Sequence, residues 1–357
     1  MGRAGEYILF LSLSLLCPQS ALGFNAGGSG IPSVEPLSRC AVRPVFWRFI
    51  VPILLLAASA VTTTANGARF LQNFAEGMPP VVRESDLWPW PWLMAHPDLF
   101  FSGWAFSATL LGILLIHECG HYLACRRHGI DCTLPWVLPA PTLSGTAGAL
   151  IKLRSPIPNR RALLDVGVYG PLCGYLASIL AIAVGFALSY AAASDAPHAI
   201  VRFGGDPLTI RLLHALLVLW NPATPSFDNI APHPVLVAGW IGIFITALNL
   251  IPAGQLDGGH ILYALSPRLH RISTNALPFV LFLAGAVYWV GWMLWGLLLL
   301  IPALCHPVVP DQPSLDRGRR LLGLLAMALF LLTFTPTPFY DNALLHLLHL
   351  DPFSRVP

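Results

Sequence analysis

His117, Glu118 and His121 stand in the run Leu114-Leu115-Ile116-His117-Glu118-Cys119-Gly120-His121-Tyr122. On a helix, residues i and i+4 share a face. Two imidazoles so placed can both reach one metal ion, each through one ring nitrogen at about 2.0–2.1 Å. The glutamate beside the first histidine can then take a proton from the water that the metal activates. The pattern points to metal-assisted hydrolysis with Glu118 as the base. The competing reading is a pair of histidines that merely pack inside a helix. The setting weakens it, because three ionisable groups within one turn of an apolar, span-length stretch are costly and functional by default.

A catalytic zinc takes three protein ligands and keeps one position open. Most other acids lie in loops. Asp257 is the exception, in Asn249-Leu250-Ile251-Pro252-Ala253-Gly254-Gln255-Leu256-Asp257-Gly258-Gly259-His260. Pro252, Gly254, Gly258 and Gly259 interrupt any helix there. At membrane depth, freed backbone groups are tolerated only where they line a cavity or are buried in protein. A plain turn between two helices is the bland alternative.

These residues need elements to carry them, and composition says which kind. Of 357 residues, 55% are hydrophobic and only 10% are charged, against about 25% charged in a soluble chain. Lipid is the natural solvent for such a sequence. Candidate spans cover 46–61, 100–125, 163–192, 235–251, 279–304 and 321–334. Shorter apolar stretches at 211–220 and 343–350 suit the interface. Trp88, Trp90, Trp92 and Trp104 cluster near the second span, as an aromatic belt does. The expected architecture is an all-α multi-pass membrane protein with about six transmembrane helices. Residues 1–45 read as a signal-like segment followed by a linker rich in Gly, Ser and Pro. Residues 46–357 read as one polytopic membrane domain with its catalytic core at about 100–270.

Orientation follows from the basic residues. The segment 124–162 carries Arg126, Arg127, Lys152, Arg154, Arg160 and Arg161 against Asp131, and so reads as cytoplasmic. The segment before the second span carries Arg69 and Arg83 against Glu76, Glu84, Asp86 and Asp98. The second span then ends inside, and so does the fourth. The histidine pair and Asp257 therefore fall on the same side of the bilayer, toward the cytoplasm. Pro135, Pro139 and Pro141 exclude a regular helix in 133–154, and the small, apolar residues 146–153 suit a strand. A β-hairpin is expected on the cytoplasmic side near the site. Its edge either pairs with an unwound substrate or simply caps the site.

A net charge of +3 and the lack of basic runs with interleaved aromatics argue against nucleic acid. Seven cysteines without a CxxC pair argue against a disulfide framework.

With these motifs in place, the chain resembles the site-2 protease family of intramembrane zinc metalloproteases, peptidase family M50. The likeness rests on the intramembrane His-Glu-x-x-His, on Asn-x-x-Pro-x-x-x-x-Asp-Gly at 249–258, and on Gly145 to Lys152. It extends to Ser155-Pro156-Ile157-Pro158-Asn159-Arg160-Arg161 and to Gly167-x-x-Gly170-Pro171-x-x-Gly174. The resemblance implies one zinc per chain on His117, His121 and Asp257, with Glu118 as general base. It also implies Asn249 as a polar residue that helps to hold substrate or the developing oxyanion. Membrane-protein substrates and the lipid bilayer are the implied partners; the plant chloroplast and bacterial members without inserts are the most similar, and a bacterial cell membrane is the expected location. Two departures stand out: 193–234 leaves no room for a PDZ insert, and the C-terminal part lacks a cystathionine-synthase-type regulatory pair.

Other polar residues are weighed separately. Asp165 opens the third span, where an acid suits a helix N-terminus. His260 is a candidate for a hydrogen bond behind Asp257. His214, His346 and His349 read as interfacial or packed. Two further readings stay open: a helix-binding homologue that does not cleave, and a transporter that uses the same residues as an ion path.

Overall fold

The computed structural model describes residues 7–8, 45–192, 207–222, 224, 230–301, 306–310 and 312–339. Most of the expected leader and linker, and the apolar stretch 343–350, lie outside them. Among the described residues the chain is mostly helical, with three two-stranded sheets. Strand β1 (Tyr7–Ile8) and helix α1 (Val45–Ala75) come first. Two short helices, α2 (Glu84–Leu87) and α3 (Trp90–Ala95), lead through a 3₁₀ turn at Pro97–Gly103 into α4 (Trp104–Arg127). The hairpin β2 (Trp136–Pro139) and β3 (Thr146–Leu150) follows, then β4 (Lys152–Leu153), which pairs with β1. Helix α5 (Arg160–Leu188) is capped by Asn159, whose side chain accepts the Ala162 amide at 3.0 Å. Strands β5 (Tyr190–Ala191) and β6 (Ile230–Ala231) pair with each other around α6 (Leu208–Trp220). The chain continues through α7 (Pro234–Asn249), α8 (Asp257–Leu265), α9 (Pro267–Val287), α10 (Gly291–Leu299) and α11 (Arg317–Thr333).

Three helical segments are long and apolar enough to cross a membrane: Arg48–Ala75, Pro97–Arg127 and Arg160–Leu188. The expectation of about six spans is met by these three alone among the described residues. The reasons are local. The stretch 235–251 is interrupted after Asn249, so α7 has 16 residues, about 24 Å at 1.5 Å per residue against a hydrocarbon core of about 30 Å. Its Trp240, Ile243 and Ala247 are buried in protein, not turned to lipid. The stretch 279–304 folds back between Val287 and Gly291 into the α9–α10 hairpin. Helix α11 stops at 17 residues.

Helices α4, α5 and α7 pack against one another to form the centre of the molecule, with α1 laid against α4. Phe106, Leu110, Leu114, Ile182, Trp240 and Ile243 fill the space between them. Close approach of α4 and α5 needs small residues, as in membrane helix pairs generally. A Cβ on Gly120 would stand 2.4 Å from the Tyr169 carbonyl oxygen. The expected hairpin is present, with the register Trp136↔Leu150, Val137↔Ala149 and Leu138↔Gly148.

A candidate metal centre

Helix α4 presents His117 and His121 on one face, one turn apart, as their spacing requires. Both rings are buried, and so are Glu118 and Asp257. The two Nε2 atoms lie 3.0 Å apart. Asp257 Oδ2 is 3.4 Å from His117 Nε2 and 3.3 Å from His121 Nε2. His117, Glu118 and His121 each offer an atom within 4.8 Å of the others'. A tetrahedral ion with bonds of about 2.0–2.1 Å separates its ligand atoms by roughly 3.3 Å. The triangle of two nitrogens and one carboxylate oxygen has edges of that size.

The proton inventory makes the same point. His121 Nδ1 lies 2.8 Å from the Val166 carbonyl oxygen. A carbonyl only accepts, so Nδ1 carries the proton, and in the neutral ring this leaves Nε2 a lone pair directed at the centre. That lone pair faces a carboxylate oxygen. Asn249 Nδ2 approaches His117 Nε2 at 3.3 Å, which makes that nitrogen an acceptor as well. Converging acceptors repel unless a cation lies among them. Among the described residues, Glu118 Oε2, Asn249 Oδ1 and Asp257 Oδ1 are buried with no hydrogen-bond partner in the protein. Buried polar atoms are seldom left so. The donor set fits a divalent metal ion.

Neighbouring elements hold this arrangement. On α5, Gly170 and Gly174 leave room for the rings: a Cβ at Gly170 would stand 2.1 Å from His121 Nε2, and one at Gly174 2.8 Å from His117 Nδ1. Asp257 begins α8, where the helix dipole favours an acid. The turn before it would leave backbone groups free, and α9 takes them up. His270 Nε2 donates to the Gly254 carbonyl at 3.0 Å. Gly254 N donates to Thr274 Oγ1 at 3.1 Å, and Ser273 Oγ to the Pro252 carbonyl at 2.6 Å. Residues 270, 273 and 274 sit at helical spacing on one face of α9, a polar signal that sequence reasoning passed over. The Val166 carbonyl left no signal at all. The Ile151 amide, just past β3, is directed at the Glu118 carboxylate.

Two sequence expectations are revised. His260 does not hydrogen-bond Asp257; its Nδ1 lies 2.8 Å from His306 Nε2. The His306 ring in turn stacks on Tyr263, with centroids 4.0 Å apart. Asp165 is more than a helix-end acid. It is buried and receives His128 Nε2 at 2.8 Å and Arg319 Nε and Nη2 at 2.9 and 2.8 Å, which joins α4, α5 and α11. His214 packs beside Phe186, as expected of it. His346 and His349 lie outside the described residues.

The fold and the site together define a helical integral-membrane protein with a buried centre of two histidines and one carboxylate beside a second buried acid, Glu118. Peptidase family M50 matches residues 105–291, more than half of the chain. The chain belongs to that family. It is 30% identical over 242 residues, 65% of its length, to the probable zinc metalloprotease EGY1, chloroplastic, of Arabidopsis thaliana, of which this covers 42%. With the EGY1 protein of Oryza sativa subsp. japonica it shares 26% identity over 307 residues, 83% of this chain and 51% of the relative. With the probable zinc metalloprotease EGY2, chloroplastic, of Oryza sativa subsp. indica it shares 31% over 194 residues, 52% and 34% respectively. The chain thus spans about half or less of the length of these curated relatives. No solved structure matches it. The expected membrane setting stands on the family and the apolar helices. The narrower expectation of a bacterial cell membrane has no support, since these relatives are plant chloroplast proteins.

Proposed function

We propose that this protein is a zinc metalloendopeptidase that cleaves peptide bonds within or next to the transmembrane segments of other membrane proteins. The observation that carries this reading is the buried triangle of His117 Nε2, His121 Nε2 and Asp257 Oδ2, with edges of 3.0–3.4 Å, beside Glu118, whose Oε2 has no hydrogen-bond partner among the described residues. His117, His121 and Asp257 would hold one zinc ion, which supplies Lewis acidity toward a peptide carbonyl and toward water.

The rest of the work falls to the chain itself. Glu118 Oε2 accepts the proton of the attacking water and passes it to the leaving amine. Asn249, at the end of α7, directs its amide into the site, where it can donate to the oxygen that gains charge. The substrate meets the hairpin. Strand β2 is covered on its outer side by α1, whereas β3 pairs with β2 alone among the described residues and borders a groove of about 330 Å³. Thr146, Ala147 and Gly148 line that groove on one side, and Trp240, Phe244 and Leu248 of α7 on the other. Along one wall the chain leads to Ile151 beside Glu118, and along the other to Asn249. An extended substrate added to the β3 edge would run directly toward the centre. The site lies at the same end of the molecule as the basic segment 124–162, which favours a cytoplasm-facing centre.

The test compares wild type with Glu118→Gln on a tagged single-span substrate in detergent, at equal measured zinc content. Cleavage falls by about 10²–10⁴-fold in the variant while zinc stays bound at one per chain. Wild-type protein that holds zinc and cuts no member of a panel of single-span substrates would overturn the reading, as would protein that holds no metal.

A further inference from the structure

One set of buried and half-buried polar side chains has no part in the chemistry above. Ser59, Thr62, Thr63 and Asn66 on α1 fall at i, i+3, i+4 and i+7, a single helical face. Ser59 and Thr63 are completely buried and Asn66 nearly so. Thr63 Oγ1 meets Ser107 Oγ on α4 at 2.6 Å, an ordinary bond between helices. The other three reach the β2–β3 hairpin. Ser59 Oγ donates to the Val137 carbonyl at 3.1 Å. Thr62 Oγ1 donates to the Gly145 carbonyl at 2.6 Å, its shortest contact, with the Ala58 and Ser59 carbonyls of its own helix at 3.2 and 3.1 Å. Asn66 Nδ2 donates to the carbonyls of Thr142 and Leu143 at 2.9 and 3.0 Å. Backbone contact reinforces these bonds. Gly145 has φ of +79°, and a Cβ there would stand 2.7 Å from the Thr62 carbonyl.

We propose that Ser59, Thr62 and Asn66 are positioning residues that hold the hairpin so that the free edge of β3 is already extended when substrate arrives. The inference rests on the protease reading given above. A two-stranded sheet is marginal by itself, so something else must keep β2 and β3 in register with the groove. A helical substrate gives up its own hydrogen bonds before it gains those of the strand, and a template ordered in advance lowers that cost. The three donors lie outside the stretch matched by the peptidase family, which starts at residue 105, while the carbonyls they grip lie within it. On this view α1 is part of the substrate-binding apparatus.

The test uses full-length protein in detergent and two substrates with one scissile sequence, a helical span and a version unwound by flanking Gly and Pro. Thr62→Val with Asn66→Leu removes three donated hydrogen bonds and keeps the branched shape of both side chains, with added bulk at position 66. For the double variant, kcat/KM on the helical span falls about tenfold or more, the scale of one to two hydrogen bonds, with less than about twofold loss on the unwound version. Thr62→Val alone acts in the same direction to a smaller extent, which guards against misfolding of the double variant. Thr63→Val, which breaks the bond to α4, lowers the melting temperature and leaves the ratio between the two substrates unchanged. Equal losses on both substrates, or a ratio shifted just as much by Thr63→Val, would overturn the positioning role. If wild type cuts neither substrate, the protease reading itself falls and this inference falls with it.

Discussion

Two buried aspartates, Asp86 and Asp257, differ in almost everything except burial: they are 2% and 1% exposed. Asp86 lies in α2 against α1, and both its oxygens are occupied. Oδ1 accepts Arg69 Nε at 2.6 Å. Oδ2 accepts Asn73 Nδ2 at 3.1 Å and the amides of Val82 and Arg83 at 2.9 Å each. Arg69 is itself seated over the Trp92 ring, 5.0 Å from its centroid. Asp257 has one oxygen without a partner and another facing two ring nitrogens at 3.3–3.4 Å, beyond good hydrogen-bond length. The first cluster is closed and fastens a loop to a helix. The second is open toward one shared point. Burial of an acid does not distinguish structure from function; the completeness of its partners does.

Replacing each acid by its amide tests that contrast most directly. Asp86→Asn leaves Arg69 buried without its counter-charge and lowers stability by about 3–5 kcal/mol, while protein that remains folded still holds zinc. Asp257→Asn abolishes zinc retention and cleavage, and leaves the melting temperature of the metal-free protein unchanged or higher, because sites built for function often sacrifice stability. Thermal melts and zinc content of the two variants decide the matter. Similar losses of stability in both would erase the distinction.

A smaller change sharpens the geometry of the open cluster. Gly170→Ala would place a methyl 2.1 Å from His121 Nε2, so the ring must turn away. Zinc affinity, measured by competition with a chelator, falls by about 10–100-fold. Unchanged affinity would mean that α5 yields and that Gly170 serves packing alone.

The smallest effect concerns acid. Burial by itself would raise the Asp86 carboxyl, but the amides of Arg83 and Val82 and the Arg69 guanidinium outweigh it and hold the group below its ordinary value. A group depressed in the folded state contributes stability that is present above its unfolded pKa and lost as pH falls through the folded one. Wild type therefore loses stability below about pH 4, and Asp86→Asn loses less over the same window. Parallel stability curves for the two proteins would sink this account.

Much of the site is legible in the sequence. The His117–His121 spacing, the base beside it and the interrupted segment that carries Asp257 each follow from local geometry. The distribution of basic residues leads to the expectation that both motifs fall on one side of the membrane, and the structure brings them side by side. Span number is less legible, because hydropathy does not reveal that 235–251 stops at Asn249 or that 279–304 doubles back. Nor does it show that α1 continues to Ala75, past the apolar stretch 46–61. The polar ladder from Ser59 to Asn66 looks like an imperfection in a span until its partners, up to 83 residues further on, are seen.

What the sequence alone determined is the chemistry available: two imidazoles one turn apart, a carboxylate base beside them, a third acidic candidate and an apolar medium around all of them. Those follow from the helix period and from composition, both of which act over a few residues. The tertiary structure decided which lone pairs face the centre, through a carbonyl 45 residues from His121. It also decided that Asp165 is an ion-pair node with Arg319, 154 residues away, where the sequence read only a helix-end acid. It decided, too, that α1 grips the hairpin. Each of these depends on side-chain and backbone groups brought together from distant parts of the chain, and no local pattern encodes where a distant carbonyl will be.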